Sequence, residues 1–305
     1  MHLADPVATL VERELDCAAA DLVVTRPADG YLHETLFVSD GRREIVLKRF
    51  DLSLVGDLTV PLNALVANTV LAGRHGIGAR VLRAEADVVL LEKLPGAPVQ
   101  ATGPDVLARV AVALRRLHDC AEVPANPIDF LGWSDEWLRS LERVECSWTG
   151  RLRHLREQLD EPRRLAAALP HRPSFVHNDL LLANFIDDGD RAAIIDYDFS
   201  GTGAPYFDLG CLFGNAELDP RARRHFIESY VTGDEDVEAA LACAELHEIL
   251  AVHANGVVFT WAAYGYPAKF GPIADEMEEV IVDHVARTEA AVADGRHRAL
   301  AEQVG

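Results

Sequence analysis

The chain has 305 residues, 49 of them acidic and 29 basic, for a net charge of −20, and about half of it (49%) is apolar. That length allows one large domain or two lobes, each with its own core. The acid excess argues against nucleic acid, whose phosphates demand a basic patch or a basic balance; it suits cationic small molecules or cationic peptides, or simply keeps the protein soluble.

In chain order, residues 5–20 read as a short amphipathic helix with Val7, Leu10, Val11 and Leu15 on one side. Strand-like runs follow at 22–24, 31–38 and 44–50, the last two joined through a turn at Ser39-Asp40-Gly41. Pro61 to His75 is predicted as a helix ending near Gly76, and a further strand pair covers RVLRAE and DVVLLEKL before Pro95-Gly96 breaks the pattern. The expected division is therefore an α+β N-terminal lobe, 1–95, and a mostly helical C-terminal lobe, 96–305. In the second, Pro104 and Asp105 open a helix with Val106, Val110, Leu114 and Leu117 at helical spacing. The stretch 134–170 is helical and arginine-rich, 172–200 is a strand–loop–strand unit with Asp188-Gly189 as its hairpin turn, and 218 onward is helical apart from 265–272. Acids at 234–236 fit the start of a helix, where they complement its dipole.

Five cysteines, Cys17, Cys120, Cys146, Cys211 and Cys243, include no C-x-x-C pair, which points to a reduced, cytoplasmic chain without a structural zinc site. The first residues carry acids early and lack a basic region followed by an apolar core, so no secretory leader is expected. No run approaches the ~18 uncharged apolar residues of a membrane span.

The chemistry concentrates in residues 175–201. His177 to Asn184 has the form H-x-D-x-x-x-x-N, with the Asp-to-Asn spacing of five found in kinase catalytic loops. In such a loop the aspartate orients or deprotonates an attacking hydroxyl, and the asparagine carbonyl is a hard, neutral ligand for Mg²⁺. Twelve residues further on, Asp196 ends an apolar strand, where it can meet the same ion. Carboxylates among apolar neighbours such as Leu180, Leu182, Ile194 and Phe199 are costly unless a cation compensates them, and Mg²⁺ bridging ATP phosphates would do so.

VHNDLLLANFI and IIDYDFSGTGAPYFDLG resemble the aminoglycoside phosphotransferase and choline kinase family, and most of all its bacterial choline/ethanolamine kinase branch, where the second motif reads I-D-[WFY]-[ED]-[YF]-[AS]-G before F-D-L. The likeness is tight over 175–216 and looser elsewhere; Leu117-His118 matches a recurrent L-H of the family. It implies a two-lobed protein-kinase-like fold. It implies Asp179 as catalytic base, Asn184 and Asp196 as Mg²⁺ ligands, Asp198 as a second metal or substrate contact, and His177 and Asp208 as structural supports of the loop. In the N-terminal lobe, Lys48 fits the strand lysine that contacts phosphates. Gly30 and Tyr31 stand where a loop covers the phosphates, and Glu92 to Leu94 where a hinge binds adenine.

One departure stands out. Kinases pair the strand lysine with an acid from the next helix, yet residues 61–75 (PLNALVANTVLAGRH) contain none, and Leu65 falls at the expected place. Asn63, Asn68, Asp51, Asp57 and Glu44 are the candidate replacements. For the acceptor, Trp261, Tyr264, Tyr266 and Phe270 are aromatics of the kind that surround cationic head groups, with Glu217 as an added acid, although aromatic stripes on helices are more often core. The expected activity is ATP- and Mg²⁺-dependent phosphorylation of a hydroxyl on a small cationic molecule, such as choline, ethanolamine, an amino sugar or an aminoglycoside. Two alternatives are a kinase acting on Ser/Thr of a peptide in a natural-product pathway and a catalytically silent nucleotide-binding or scaffold protein.

Overall fold

The computed structural model describes residues 5–27, 32–296, 299, 300 and 303. The chain opens with α1 (Asp5–Leu15), which stops one residue before Asp16, whose left-handed backbone (φ 55°) cannot continue a helix. The strands β1 (Val23–Thr25), β2 (Glu34–Ser39), β3 (Glu44–Arg49), β4 (Val81–Glu85) and β5 (Val88–Glu92) form one antiparallel sheet in the order β1-β2-β3-β5-β4. Alternation places Leu36, Val38, Ile45, Leu47, Val88 and Leu90 on the face covered by Leu10, Val11 and Leu15 of α1. The other face carries Lys48, paired in register with Thr35 on β2 and Val89 on β5. The helix α2 (Leu62–Arg74) lies on that side, with Leu65 buried beside Phe50, Val60 and Val89.

The link from β3 to α2, residues 51–60, belongs to the small lobe by sequence but not by contact. Leu54 and Leu58 are fully buried in the core of the large lobe, and the Trp137 indole N–H donates to the Asp57 carbonyl at 2.9 Å. Two side chains reach the same segment from beyond residue 265: Lys269 pairs with Asp51 at 3.0 Å, and the Tyr266 hydroxyl bonds Asp57.

After Gly96, β6 (Ala97–Pro98) already pairs with a strand of the large lobe. Gly96 has φ +97°, and a Cβ there would lie 2.2 Å from the Asp187 carbonyl oxygen, so glycine is required at this crossing. The large lobe then runs α3 (Pro104–His118), α4 (Phe130–Leu141), α5 (Thr149–Gln158), α6 (Asp160–Ala168), β7 (Ser174–Val176), β8 (Phe185–Asp187), β9 (Ala192–Ile194) and β10 (Gly201–Gly203). It ends with α7 (Pro205–Ala216), α8 (Pro220–Tyr230), α9 (Val237–Gly265), the single turn α10 (Pro267–Phe270) and α11 (Ala274–Ala293). The hairpin β8–β9 turns at Asp188-Gly189 as expected, and Arg109 of α3 holds its base by two 2.7 Å bonds to Asp187. The arginine-rich stretch is built from three helices; Arg156 and Arg163 of α5 and α6 converge on Asp135 of α4.

The axis of this lobe is α9, 29 residues long and buried on nearly every side, as a helix apolar all round must be. Asp236 caps it by accepting from the N–H groups of Glu238 and Ala239. Its contact with α7 is so close that a Cβ on Gly210 would sit 2.4 Å from the backbone of His247 and Glu248. Gly210→Ala should therefore lower stability by roughly 3 kcal/mol or more in urea unfolding, despite alanine's better helix propensity. Gly150→Ala in α5, where a Cβ meets nothing within 4 Å, should be neutral or slightly stabilising.

Candidate active site

The catalytic loop leaves β7 and is gripped by one buried carboxylate. Asp208, in the first turn of α7 and fully buried, accepts from the backbone N–H of His177 and of Asn178, each at 2.7 Å. His118 at the end of α3 reaches Asp208 at 3.0 Å through Nε2 and the Tyr230 hydroxyl at 2.7 Å through Nδ1. The L-H pair singled out in the sequence thus braces the same carboxylate. Held there, Asn178 adopts a left-handed backbone (φ 64°), its amide donating to the Phe199 carbonyl at 2.8 Å. The His177 ring packs on Tyr197 and bonds the Ile195 carbonyl at 2.9 Å, a structural use of that side chain.

Asp179 follows, partly buried. Burial pushes its carboxyl up to about 6, against the pull of nearby His177 and with a further upward push from the charge of Asp196. Asn184, on a 3₁₀ turn over Leu182–Asn184, donates its amide to the Asp179 carbonyl at 2.8 Å and lies 3.3 Å from the Asp179 carboxylate. With the amide nitrogen engaged, its Oδ1 is the free end. The Asn184 carbonyl also accepts from the Ile195 N–H at 2.9 Å, which locks the loop to the strand carrying Asp196. Asp196 has a second strained backbone (φ 70°) at the mouth of the cleft, and its side chain is 38% exposed.

Lys48 meets this group from the other lobe. Its ammonium bonds Asp196 and lies 2.9 Å from Asp198. Burial opposes a charged lysine, but the two carboxylates outweigh it and hold the ammonium protonated well beyond the ordinary range. Burial likewise works to raise the Asp196 carboxyl, yet Lys48 holds it low, whereas burial and the Asp196 charge push the Asp198 carboxyl upward against the pull of Lys48.

None of the five candidate replacements for the helix acid meets Lys48. Asn68 donates to Ser200, to its carbonyl and its hydroxyl at 3.0 Å each; Glu44 lies 3.5 Å from Lys93; Asp51 and Asp57 are engaged beyond the cleft; Asn63 lines a groove on the outer side of α2. Glu92 ends β5 and lies 3.5 Å from Arg80, and Leu94 follows in the extended link where the lobes join. Gly30 and Tyr31 lie outside the described residues.

The aromatic residues after 260 each make contacts within the protein. Tyr264 lies 3.4 Å from Glu278, Trp261 stacks edge-on with Tyr266, Tyr266 ties to Asp57, and Phe270 is core. The cavity beside the catalytic loop, of about 490 Å³, is lined by Leu181, by Phe259 two residues before Trp261 on α9, by four acids, Glu217, Glu276, Glu279 and Asp283, and by Arg287. Arg287 compensates only Asp283, at 3.2 Å, its other nitrogen bonding the Gly214 carbonyl. Asp198 does not line this cavity. A larger groove of about 600 Å³, between α2 and β4, is remote from these groups.

Asp196 and the Asn184 Oδ1 are hard oxygen donors, a set that fits Mg²⁺, which takes one or two protein ligands and completes its shell with water and phosphate. Among the described residues, no group of three or more His, Cys, Asp or Glu side chains could hold a metal alone.

Residues 23–247 match the phosphotransferase enzyme family, and the chain belongs to it. No curated protein sequence matches it. Among solved structures, it is similar to a choline/ethanolamine kinase family protein of Mesorhizobium loti (TM-score 0.74, 20% identity, 93% of each chain covered). An ethanolamine kinase of Plasmodium vivax gives 0.73 at 15% identity, covering 92% of this chain and 85% of the other. A spectinomycin phosphotransferase solved with ADP and spectinomycin gives 0.63 at 13%, covering 94% and 98%. The chain is thus a phosphotransferase with the two-lobed, kinase-like architecture of small-molecule kinases.

Asp208→Ala should remove the acceptor of two buried N–H groups and the partner of His118. A loss of about 3 kcal/mol or more is expected in urea unfolding.

Proposed function

We propose that the protein transfers the γ-phosphate of Mg-ATP to a hydroxyl of a small cationic molecule. The observation that carries this reading is the meeting of Asp179, Asn184, Asp196 and Lys48 at the junction of the lobes. Asp179, its carboxyl raised by burial, orients the acceptor hydroxyl and takes its proton as the bond to phosphorus forms. Asn184 and Asp196 would hold Mg²⁺, which neutralises charge on the phosphates. Lys48 neutralises phosphate charge from the small-lobe side.

The acceptor class follows from the cavity at Leu181. Four acids face one arginine in this lining, and Arg287 pairs with Asp283 while Glu217, Glu276 and Glu279 form no ion pair among the described residues, so a positively charged ligand gains where an anion is repelled. Phe259 offers an aromatic face at the same place. This moves the cation site from Trp261 and Tyr264 to the side of α9 that faces α11. No helix among the described residues is long and apolar enough to cross a membrane, and all five cysteines are free thiols, which suits work in a reducing cytoplasm.

Mg-ATP with choline, ethanolamine, amino sugars, aminoglycosides and a basic Ser/Thr peptide, read by ADP release, tests the assignment. One of the small cations should be turned over, and Asp179→Ala should lower kcat by roughly 10²–10⁴-fold with ATP affinity retained. Asp196→Ala should abolish the Mg²⁺-dependent part of nucleotide binding in calorimetry. Turnover of the peptide alone would replace the acceptor, and Asp179→Ala activity equal to wild type would remove the base.

A further inference from the structure

A lysine whose side chain is 12% exposed needs a fixed counter-charge in every state of the site. The helix that supplies it in other kinase-like folds, α2, holds no acid at all, and its Asn68 is spent on Ser200. Asp196 serves as one partner, but it sits at the cleft mouth and is the residue a divalent cation would claim. Asp198 differs in kind. Its side chain is 1% exposed, its backbone carbonyl accepts from the Val60 N–H at 3.0 Å, and one carboxylate oxygen lies 2.9 Å from the Lys48 ammonium.

The other oxygen has a specific neighbour. Asp198 Oδ2 is buried without a hydrogen bond, and so is His33 Nε2, and the two atoms lie 3.4 Å apart. The opposite ring nitrogen of His33, Nδ1, accepts the backbone N–H of Asp51 at 3.1 Å. An accepting Nδ1 leaves the ring hydrogen on Nε2, next to Asp198. Phe50 packs edge-on against the imidazole at 5.0 Å and limits its rotation. Asp51, whose N–H fixes the ring, is held by Lys269 from the large lobe.

We propose that Asp198, oriented by His33, is the anchor of Lys48 in place of the missing helix acid, and that it is not a metal ligand. His33 is a positioning residue: it acts on the phosphates only through Asp198 and Lys48. The proposal rests on the phosphotransferase reading for its consequence, not for its geometry.

Calorimetry of ATP binding separates the roles, with and without Mg²⁺. Asp198→Asn and His33→Ala should weaken ATP binding about tenfold both in EDTA and in Mg²⁺, because the lysine contact to phosphate is lost in each. The Mg²⁺ concentration for half-maximal binding should stay unchanged, and His33→Gln, which keeps a donor near Nε2, should recover most of the loss. A loss confined to Mg²⁺ conditions, or a raised Mg²⁺ requirement in Asp198→Asn, would make Asp198 a metal ligand and overturn the proposal. Thermal unfolding of the two single variants and the double variant supplies a readout that needs no nucleotide. The double variant should fall by clearly less than the sum of the singles; strictly additive losses reject the anchor. If wild type binds no ATP, the phosphotransferase reading fails while this cycle still decides the anchor. Should Asp198→Asn not fold, the pair His33→Ala and Lys48→Met serves in the same cycle.

Discussion

Everything at the cleft depends on bringing one ammonium and two carboxylates together across more than 140 residues of chain. Lys48 comes from the third strand of a sheet, and Asp196 and Asp198 come from the end of a hairpin in the other lobe. Two like charges so close are unfavourable alone, and a desolvated ammonium is unfavourable alone. Placed together they compensate one another, and the cost of separating them is what aligns the lobes. A folded chain in which Lys48 pointed elsewhere would leave the buried Asp198 beside His33 and Val60 without its ammonium partner.

The catalytic loop illustrates the same economy on its own side. Two residues, Asn178 and Asp196, stand in a backbone region that side chains disfavour by of order 1–3 kcal/mol. Each is over-determined: Asn178 by Asp208 and the Phe199 carbonyl, and the Asp196 strand by the Asn184 and His177 bonds to Ile195. The strain turns Asp179 and Asp196 toward one space instead of along their strands. Asp208 and His118 never approach that space, yet they carry the loop that does.

Much of this was legible in the residues themselves. The H-x-D-x-x-x-x-N spacing and the I-I-D-Y-D strand end marked the loop and its partner, because hydrogen bonding within a short hairpin leaves few places for those side chains to go. The alternating run EIVLKRF marked a strand, and in the structure Lys48 stands on its face away from α1. The anchor of Lys48 was not legible, since local spacing points only to acids near the lysine or on the next helix, and Asp198 is 150 residues away. His33 gave no signal: in a strand-like run, one histidine reads as any half-buried polar residue. The surroundings of the aromatic cluster were not legible for a related reason. Side chains at 261, 264 and 266 lie on different sides of the end of a helix, and only depth within the bundle, not composition, decides that Phe259 meets the cavity while Tyr266 meets the other lobe.

The segment between β3 and α2 has one further implication. Leu54 and Leu58 fill the core of the second lobe, Asp57 and Asp51 are fastened to Trp137, Tyr266 and Lys269, and the N–H of Val60 donates to the Asp198 carbonyl. A boundary drawn near residue 95 separates the chain on paper but not as autonomous fragments. Each half, expressed without the other, would present to water a plug or a socket of leucine-sized apolar surface, which disfavours either piece alone relative to two co-expressed pieces that can refill it.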